Sequence, residues 1–202
     1  MEHNRLELLA QKYGTDKQFS CHNYTTYYYK HFESFSQKPM TILEIGVHKG
    51  YSLNMWADYF PNSQIWGIDD GSSGDLCETY ENQRINFRKG QQSDYQFLNS
   101  VTNEAGGGFD IIIDDGSHYS SDIIYTISKM WQTIKPSGYY VIEDLQCSYP
   151  PYTAPGLAAR FNSENHTAVQ YLNGLGDALH SRTTSNIVGV HTYPEITFIE
   201  YK

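Results

Sequence analysis

Two short motifs, Asp114-Asp115-Gly116-Ser117-His118 and Glu143-Asp144, each follow an apolar run, and together they gather groups that could hold a cation and move a proton. Asp115, Glu143 and Asp144 are the expected metal ligands, because three carboxylates at one point repel strongly unless a cation joins them. Hard oxygen ligands of this kind suit Mg²⁺ or Mn²⁺, whose octahedral shells keep positions for water and for the vicinal hydroxyls of a substrate. Zinc is disfavoured, since no cysteine or second histidine accompanies the acids. His118, on the turn leaving the apolar run, is the expected general base for a metal-held hydroxyl, an otherwise poor nucleophile at neutral pH.

A second constellation lies earlier in the chain. Glu44, Gly46 and Gly50 form an ExGxxxG turn after an apolar segment, where the backbone must reverse tightly and let a ligand approach. A dinucleotide site would prefer GxGxxG. The spacing found suits a ligand without pyrophosphate, such as S-adenosylmethionine, whose amino-acid tail can lie across the turn. Asp69 and Asp70 end the next apolar run, where an acid can accept both ribose hydroxyls of an adenosine, and Asp69 is the preferred one. Gln91 and Gln92 follow at the position where an open α/β sheet meets an adenine ring, and Asp114 is assigned to the same donor side.

The elements that must position these groups alternate β-rich runs with helix-like segments, the pattern of a parallel sheet. Strands are predicted at Thr41–Val47, Gln64–Ile68, Ile85–Lys89, Phe109–Ile113 and Tyr139–Ile142, the last entered through a Pro136-Ser137-Gly138 turn. Helices are predicted at Leu6–Tyr13, Tyr24–Ser36, Ser52–Tyr59 and Ser121–Ile134. Asn186–His191 and Glu195–Tyr201 read as a hairpin turning at Thr192–Pro194. The expected fold class is α/β: a Rossmann-like, doubly wound, seven-stranded mixed sheet with a terminal antiparallel hairpin. One domain over residues 1–202 is expected, with residues 1–37 as an N-terminal helical segment and residues 146–184, containing Pro150, Pro151 and Pro155, as an acceptor-side insertion.

Composition sets the bounds. A net charge of −9 argues against a large basic surface and hence against nucleic acid as a partner. No run reaches membrane-spanning length and the start lacks a signal-peptide core, so a cytoplasmic protein with no membrane partner is expected. Cys21, Cys77 and Cys147 show no metal or disulfide spacing and read as ordinary thiols. The 18 tyrosines suit a cleft or an interface; a homo-oligomer is compatible with them, but no pattern chooses its size.

Taken together, YGTDK (13–17), HNYTTYYYKHF (22–32), ILEIGVHKGYS (42–52), IIDDGSH (112–118) and VIEDL (141–145) resemble the mycinamicin-type sugar O-methyltransferases, class I S-adenosylmethionine-dependent enzymes that methylate deoxysugars on natural products. The resemblance covers most of residues 5–150; the extra N-terminal domain of the macrolide enzymes has no match within these residues. It implies a metal held by Asp115, Glu143 and Asp144, His118 as catalytic base, and a small-molecule or glycoside acceptor. It also implies that Tyr13, Thr15, Asp16 and Lys17, with His22 and Tyr24, form a mobile lid beside donor and acceptor. Two other readings stay open: a catechol or phenol O-methyltransferase, since such a metal also suits vicinal aromatic hydroxyls, and a non-catalytic nucleotide-binding domain.

Overall fold

The computed structural model describes residues 4–149, 167–184 and 186–202. Its seven strands form one sheet in the order β3-β2-β1-β4-β5-β7-β6. β1 (Thr41–Ile45), β2 (Gln64–Asp69), β3 (Ile85–Lys89), β4 (Phe109–Asp114) and β5 (Ile134–Ile142) run parallel, while β7 (Ile196–Tyr201) and β6 (Ile187–Tyr193) close the edge as an antiparallel hairpin. The sheet is therefore the doubly wound, mixed one expected from the alternation. β4 pairs on both sides, and its Ile111, Ile112 and Ile113 are all buried, as a central parallel strand requires.

Helices cover both faces. On one lie α1 (Arg5–Tyr13), α2 (Tyr24–Phe32) and α3 (Tyr51–Tyr59), packing Leu6, Tyr28, Phe32 and Trp56 against Ile42, Ile111 and Phe198 of the sheet. On the other lie α4 (Tyr95–Glu104), α5 (Ser120–Met130) and α6 (Ala168–His180), whose Leu98, Ile127 and Leu172 pack with Leu43, Ile112 and Tyr140. The winding changes direction between β1 and β4, and open α/β sheets bind ligands at the carboxyl ends of strands beside such a switch.

Several boundaries differ from the sequence expectation. α4 has no counterpart in it: the helix is short and amphipathic, and it starts where Asp94 accepts the N–H groups of Gln96 and Phe97. β5 begins at Ile134 rather than Tyr139, because the Pro136-Ser137-Gly138 turn is absorbed as an irregularity, with Ser137 at φ 64°. α2 stops at Phe32 and continues as a 3-10 turn, Glu33–Phe35; α5 likewise gives way to a 3-10 turn at Trp131–Thr133. β6 runs on to Tyr193, past the expected His191, and β7 starts at Ile196 rather than Glu195, so the turn falls at Pro194 and Glu195. Within residues 146–184, α6 is capped by Thr167 and Gln170, each side chain bonding the other's backbone N–H. Pro150, Pro151 and Pro155 lie outside the described residues. Among the described residues no helix is long and apolar enough to cross a membrane.

Candidate active site

Backbone bonds tie the ends of β1, β4 and β5 together. Asp115 N–H donates to Ile45 O at 2.8 Å and Glu143 N–H to Asp114 O at 3.0 Å, so the residues just past the strands are held side by side. Gly46 follows β1 with φ 86°, and a Cβ there would fall 1.9 Å from the Asp115 carbonyl oxygen. Only glycine lets the first turn pass this close to the end of β4.

Asp69 braces that turn. Its Oδ2 accepts the N–H groups of Val47 and His48 at 2.8 and 2.9 Å, and its Oδ1 accepts the N–H of Gly71. Asp70 is exposed and accepts the N–H of Ser72; the Ser72 hydroxyl, and then this N–H, hold its carboxyl below the usual range. Both acids line a cavity of about 850 Å³ that opens above the strand ends.

Of the donor-side residues expected from sequence, Gly46, Asp69, Gln91 and Gln92 line this cavity. Glu44, Gly50 and Asp114 do not. Glu44 is fully buried and accepts from Ser52 Oγ and Trp56 Nε1 of α3; burial pushes its pKa up to about 7 against the opposing pull of Lys17 and these two donors. Gly50 faces Tyr80, whose hydroxyl a Cβ would meet at 2.4 Å. Asp114 accepts from Tyr140 Oη and Gln92 Nε2, and burial pushes it up to about 6. Gln92 also accepts the Ser117 N–H through Oε1, and this fixes the turn that carries His118.

Asp115, His118 and Asp144 meet at the cavity wall, each offering a ligand atom within 4.8 Å of the others. His118 Nε2 is 3.5 Å from Asp144 Oδ2. Both residues have left-handed backbone, φ 57° and 54°, which sterics disfavour outside glycine and which tends to persist where surrounding structure enforces it. Asp144 Oδ1 accepts from Tyr24 Oη at 2.8 Å and Gln146 Nε2 at 3.0 Å. Burial would raise its pKa, but His118, Gln146, Tyr24 and His22 outweigh burial and hold it below the usual value. Two carboxylates at this separation suit a hard divalent ion that keeps water in its shell, and the imidazole stands beside them.

Glu143 is turned the other way. It is buried, takes a hydrogen bond from Tyr28 Oη, and receives Lys17 Nζ at 2.6 Å. Burial holds its pKa well above the usual carboxylate value. It sits beside Asp115 without lining the cavity.

The N-terminal residues divide in the same manner. Thr15, Asp16 and Lys17 line the cavity, with Thr15 and Lys17 buried. Tyr13 donates to Asp58 on α3, away from it. His22 stacks on Tyr24 and shares a 2.9 Å bond with Glu195, so that His22, Asp144 and Glu195 form a second group of ligand atoms within 4.8 Å of one another. Burial would lower the His22 pKa, but Glu195 and Asp144 raise it above the ordinary value. Glu195 was not foreseen: it stands alone in the hairpin turn, and only the antiparallel return of β7 beside β5 brings it here. The hydroxyl of Ser117, bonded to Asp122 Oδ2 at 2.7 Å, was also missed, although the two are five residues apart at a helix start.

The fold and this arrangement define a class I type of methyltransferase domain, and comparison bears on which one. A methyltransferase domain family model matches residues 43–145, half of the chain, and the protein belongs to that family. It is 32% identical over 211 residues to the 8-demethyl-8-alpha-L-rhamnosyl tetracenomycin-C 2'-O-methyltransferase of Streptomyces olivaceus, covering 95% of this chain and 53% of that one. It is also 32% identical to the mycinamicin VI 2''-O-methyltransferase of Micromonospora griseorubida, covering 96% and 52%. The MycE methyltransferase of the mycinamycin biosynthetic pathway, solved in complex with Mg and SAH, superposes with a TM-score of 0.84 at 31% identity, over 99% of this chain and 55% of that chain. The chain thus spans about half the length of the curated relatives it matches.

Proposed function

We propose that the chain carries an S-adenosylmethionine-dependent, divalent-metal-assisted O-methyltransferase activity directed at a sugar hydroxyl of a glycoside. The observation that carries the reading is the meeting of Asp115, His118 and Asp144 on the wall of a cavity whose other wall is the Gly46 turn and the acids closing β2. The curated relatives named above are sugar O-methyltransferases, which supports the acceptor class.

In this reading the donor's amino-acid tail lies along the Gly46–Gly50 turn, with the β2 acids on the ribose side and Gln91 and Gln92 toward the adenine. Asp115 and Asp144 would hold Mg²⁺ or Mn²⁺, with Glu143 behind them; when bound, the ion would lower the cost of forming an alkoxide. His118 Nε2 would take the hydroxyl proton. When bound, S-adenosylmethionine would supply a methyl group activated by its sulfonium, which the deprotonated acceptor oxygen would take in line as the carbon–sulfur bond breaks and S-adenosylhomocysteine leaves. Thr15, Asp16 and Lys17 would close the cavity from the N-terminal side, and the acceptor-side role expected of residues 146–184 falls in part on residues 150–166, outside those described.

Methyl transfer from labelled donor to a panel of rhamnosides, other deoxysugar glycosides and catechols, with Mg²⁺ and with chelator, tests the proposal. Chelator-sensitive labelling of a glycoside is expected. Activity indifferent to chelation, or confined to catechol, overturns the metal role or the acceptor class.

A further inference from the structure

The ends of β1, β4 and β5 present three carboxylates to a single buried ammonium. Lys17 Nζ lies 2.6 Å from Asp115 Oδ2, 2.6 Å from Glu143 Oε2 and 3.6 Å from Glu44 Oε1, and its side chain is 1% exposed. The partners are 98 and 126 residues away from it in sequence, so the contact is made by the tertiary fold. The backbone that delivers it is fixed separately: Lys17 O accepts the Thr25 N–H and Asp16 O the His22 N–H, which tie the stretch to the start of α2.

Resting on the reading above, in which Asp115 is a metal ligand with Glu143 behind it, we infer that Lys17 is a positioning residue that competes with the divalent ion for the charge of these two carboxylates and so sets how tightly the site takes metal. An ammonium has three donors and no acceptor, and here two are spent on Asp115 and Glu143 while the third side faces Glu44. A divalent ion brought to Asp115 and Asp144 meets Lys17 across one carboxylate, and like charges at such separations repel strongly where water is excluded. Lysine carries its charge on a flexible stem, so the ammonium can yield without moving the backbone that bears it. In the absence of metal, the same ammonium offsets the repulsion among Glu44, Asp115 and Glu143, which would otherwise have to take up protons or stand as uncompensated buried charges.

The competition has a sign that a purely structural role does not share. Removing a scaffold residue loosens Asp115 and weakens metal binding; removing a competing cation frees two carboxylates and strengthens it. The test is Mn²⁺ binding, read by electron paramagnetic resonance on the purified full chain without acceptor, for wild type and Lys17→Met, with S-adenosylhomocysteine titrated calorimetrically in parallel. Lys17→Met is expected to bind Mn²⁺ about tenfold more tightly or better, and Mn²⁺ binding by the variant alone supports the inference equally. A folded variant that binds Mn²⁺ equally or more weakly overturns it and leaves the proposed function standing. Absence of Mn²⁺ binding from both proteins overturns the inference together with the metal role, while retained S-adenosylhomocysteine binding would keep the donor site. Because Lys17→Met can fail to fold, the ¹⁵N resonance of the wild-type Lys17 ammonium is followed during Mg²⁺ titration. A shift that saturates with the metal is expected, and an unchanged signal at saturation overturns the inference.

Discussion

Replacing Asp69 with alanine separates two jobs that an acid at the end of β2 can perform. A residue that only receives ribose hydroxyls affects donor affinity and leaves the empty protein alone. The structure gives Asp69 a second job, since its carboxylate accepts three backbone N–H groups, from Val47, His48 and Gly71. A hydrogen bond to a charged group contributes about 1.5–3 kcal/mol, but water can replace the carboxylate where the donor is exposed. Val47 is buried, whereas His48 is exposed. The Val47 bond should therefore carry most of the effect and the other two a fraction each, for a total of about 2–4 kcal/mol. For a chain of this size that corresponds to a fall in melting temperature of about 4–16 °C. Calorimetric melting of the protein without donor, followed by S-adenosylhomocysteine titration, reads both quantities. Asp70→Ala serves as contrast: that side chain is exposed and its hydrogen bonds stay within its own turn, chiefly to Ser72, so stability should stay within about 0.5 kcal/mol of wild type. An Asp69→Ala protein that melts within about 2 °C of wild type while losing donor affinity would refute the bracing argument.

Gly46→Ala should destabilise by about 2–5 kcal/mol, through positive φ and collision with the Asp115 carbonyl, as measured by urea unfolding. Gly174→Ala, in α6 with open space around its position, should instead stabilise by about 0.5–1 kcal/mol in the same assay. His118→Ala should lower kcat for methyl transfer by about 10²–10⁴-fold while S-adenosylhomocysteine affinity persists, and an unchanged kcat removes it as base. His31 supplies an acid-sensitive contact: burial, then His191 and Lys30, lower its pKa from 6.5 to about 4, where it stacks on Phe198 beside Tyr139 and Tyr193. The unfolded chain takes up that proton below pH 6.5 and the folded one resists it to about pH 4, so stability present at neutral pH is lost through this window. His31→Phe should flatten that loss, seen as a smaller drop in urea midpoint between about pH 7 and about pH 4.5, and an equal drop in both proteins would exclude His31 as its source.

How far the molecule was legible in its sequence depended on the range of the forces involved. The parallel strands announced themselves because burial on both faces leaves unbroken apolar runs, as at Ile111–Ile113, and strand ends could be paired by topology alone. α4 was hidden because a short helix lying on one face needs few apolar positions, and its clearest mark is the single cap Asp94. β5 reads too short from sequence because proline and glycine signal a turn locally, while pairing with β4 carries the strand through them. Side-chain direction was the least legible feature. Glu143 and Asp144 are neighbours in sequence, yet one packs inward toward Tyr28 and Lys17 and the other faces the cavity, since Asp144 takes the left-handed conformation. No spacing rule reveals that a lysine 126 residues upstream waits for Glu143.

The resulting division of charge explains how so many acids can share the ends of three adjacent strands. Glu44 and Asp114 are fully buried, and their pKa values, about 7 and about 6, let a proton replace a cation at little cost. Asp115 and Glu143 share the Lys17 ammonium. Asp144 is the acid of this set whose carboxyl is held low, with His118, Gln146, Tyr24 and His22 favouring its anion and with a face on the cavity. A dication entering from the cavity would therefore meet one committed anion first, and then Asp115, whose charge is already partly claimed. On the proposed reading such a site would bind metal firmly only as far as the ion could draw Asp115 away from Lys17, which would make the affinity a property of the whole cluster and not of its ligands alone.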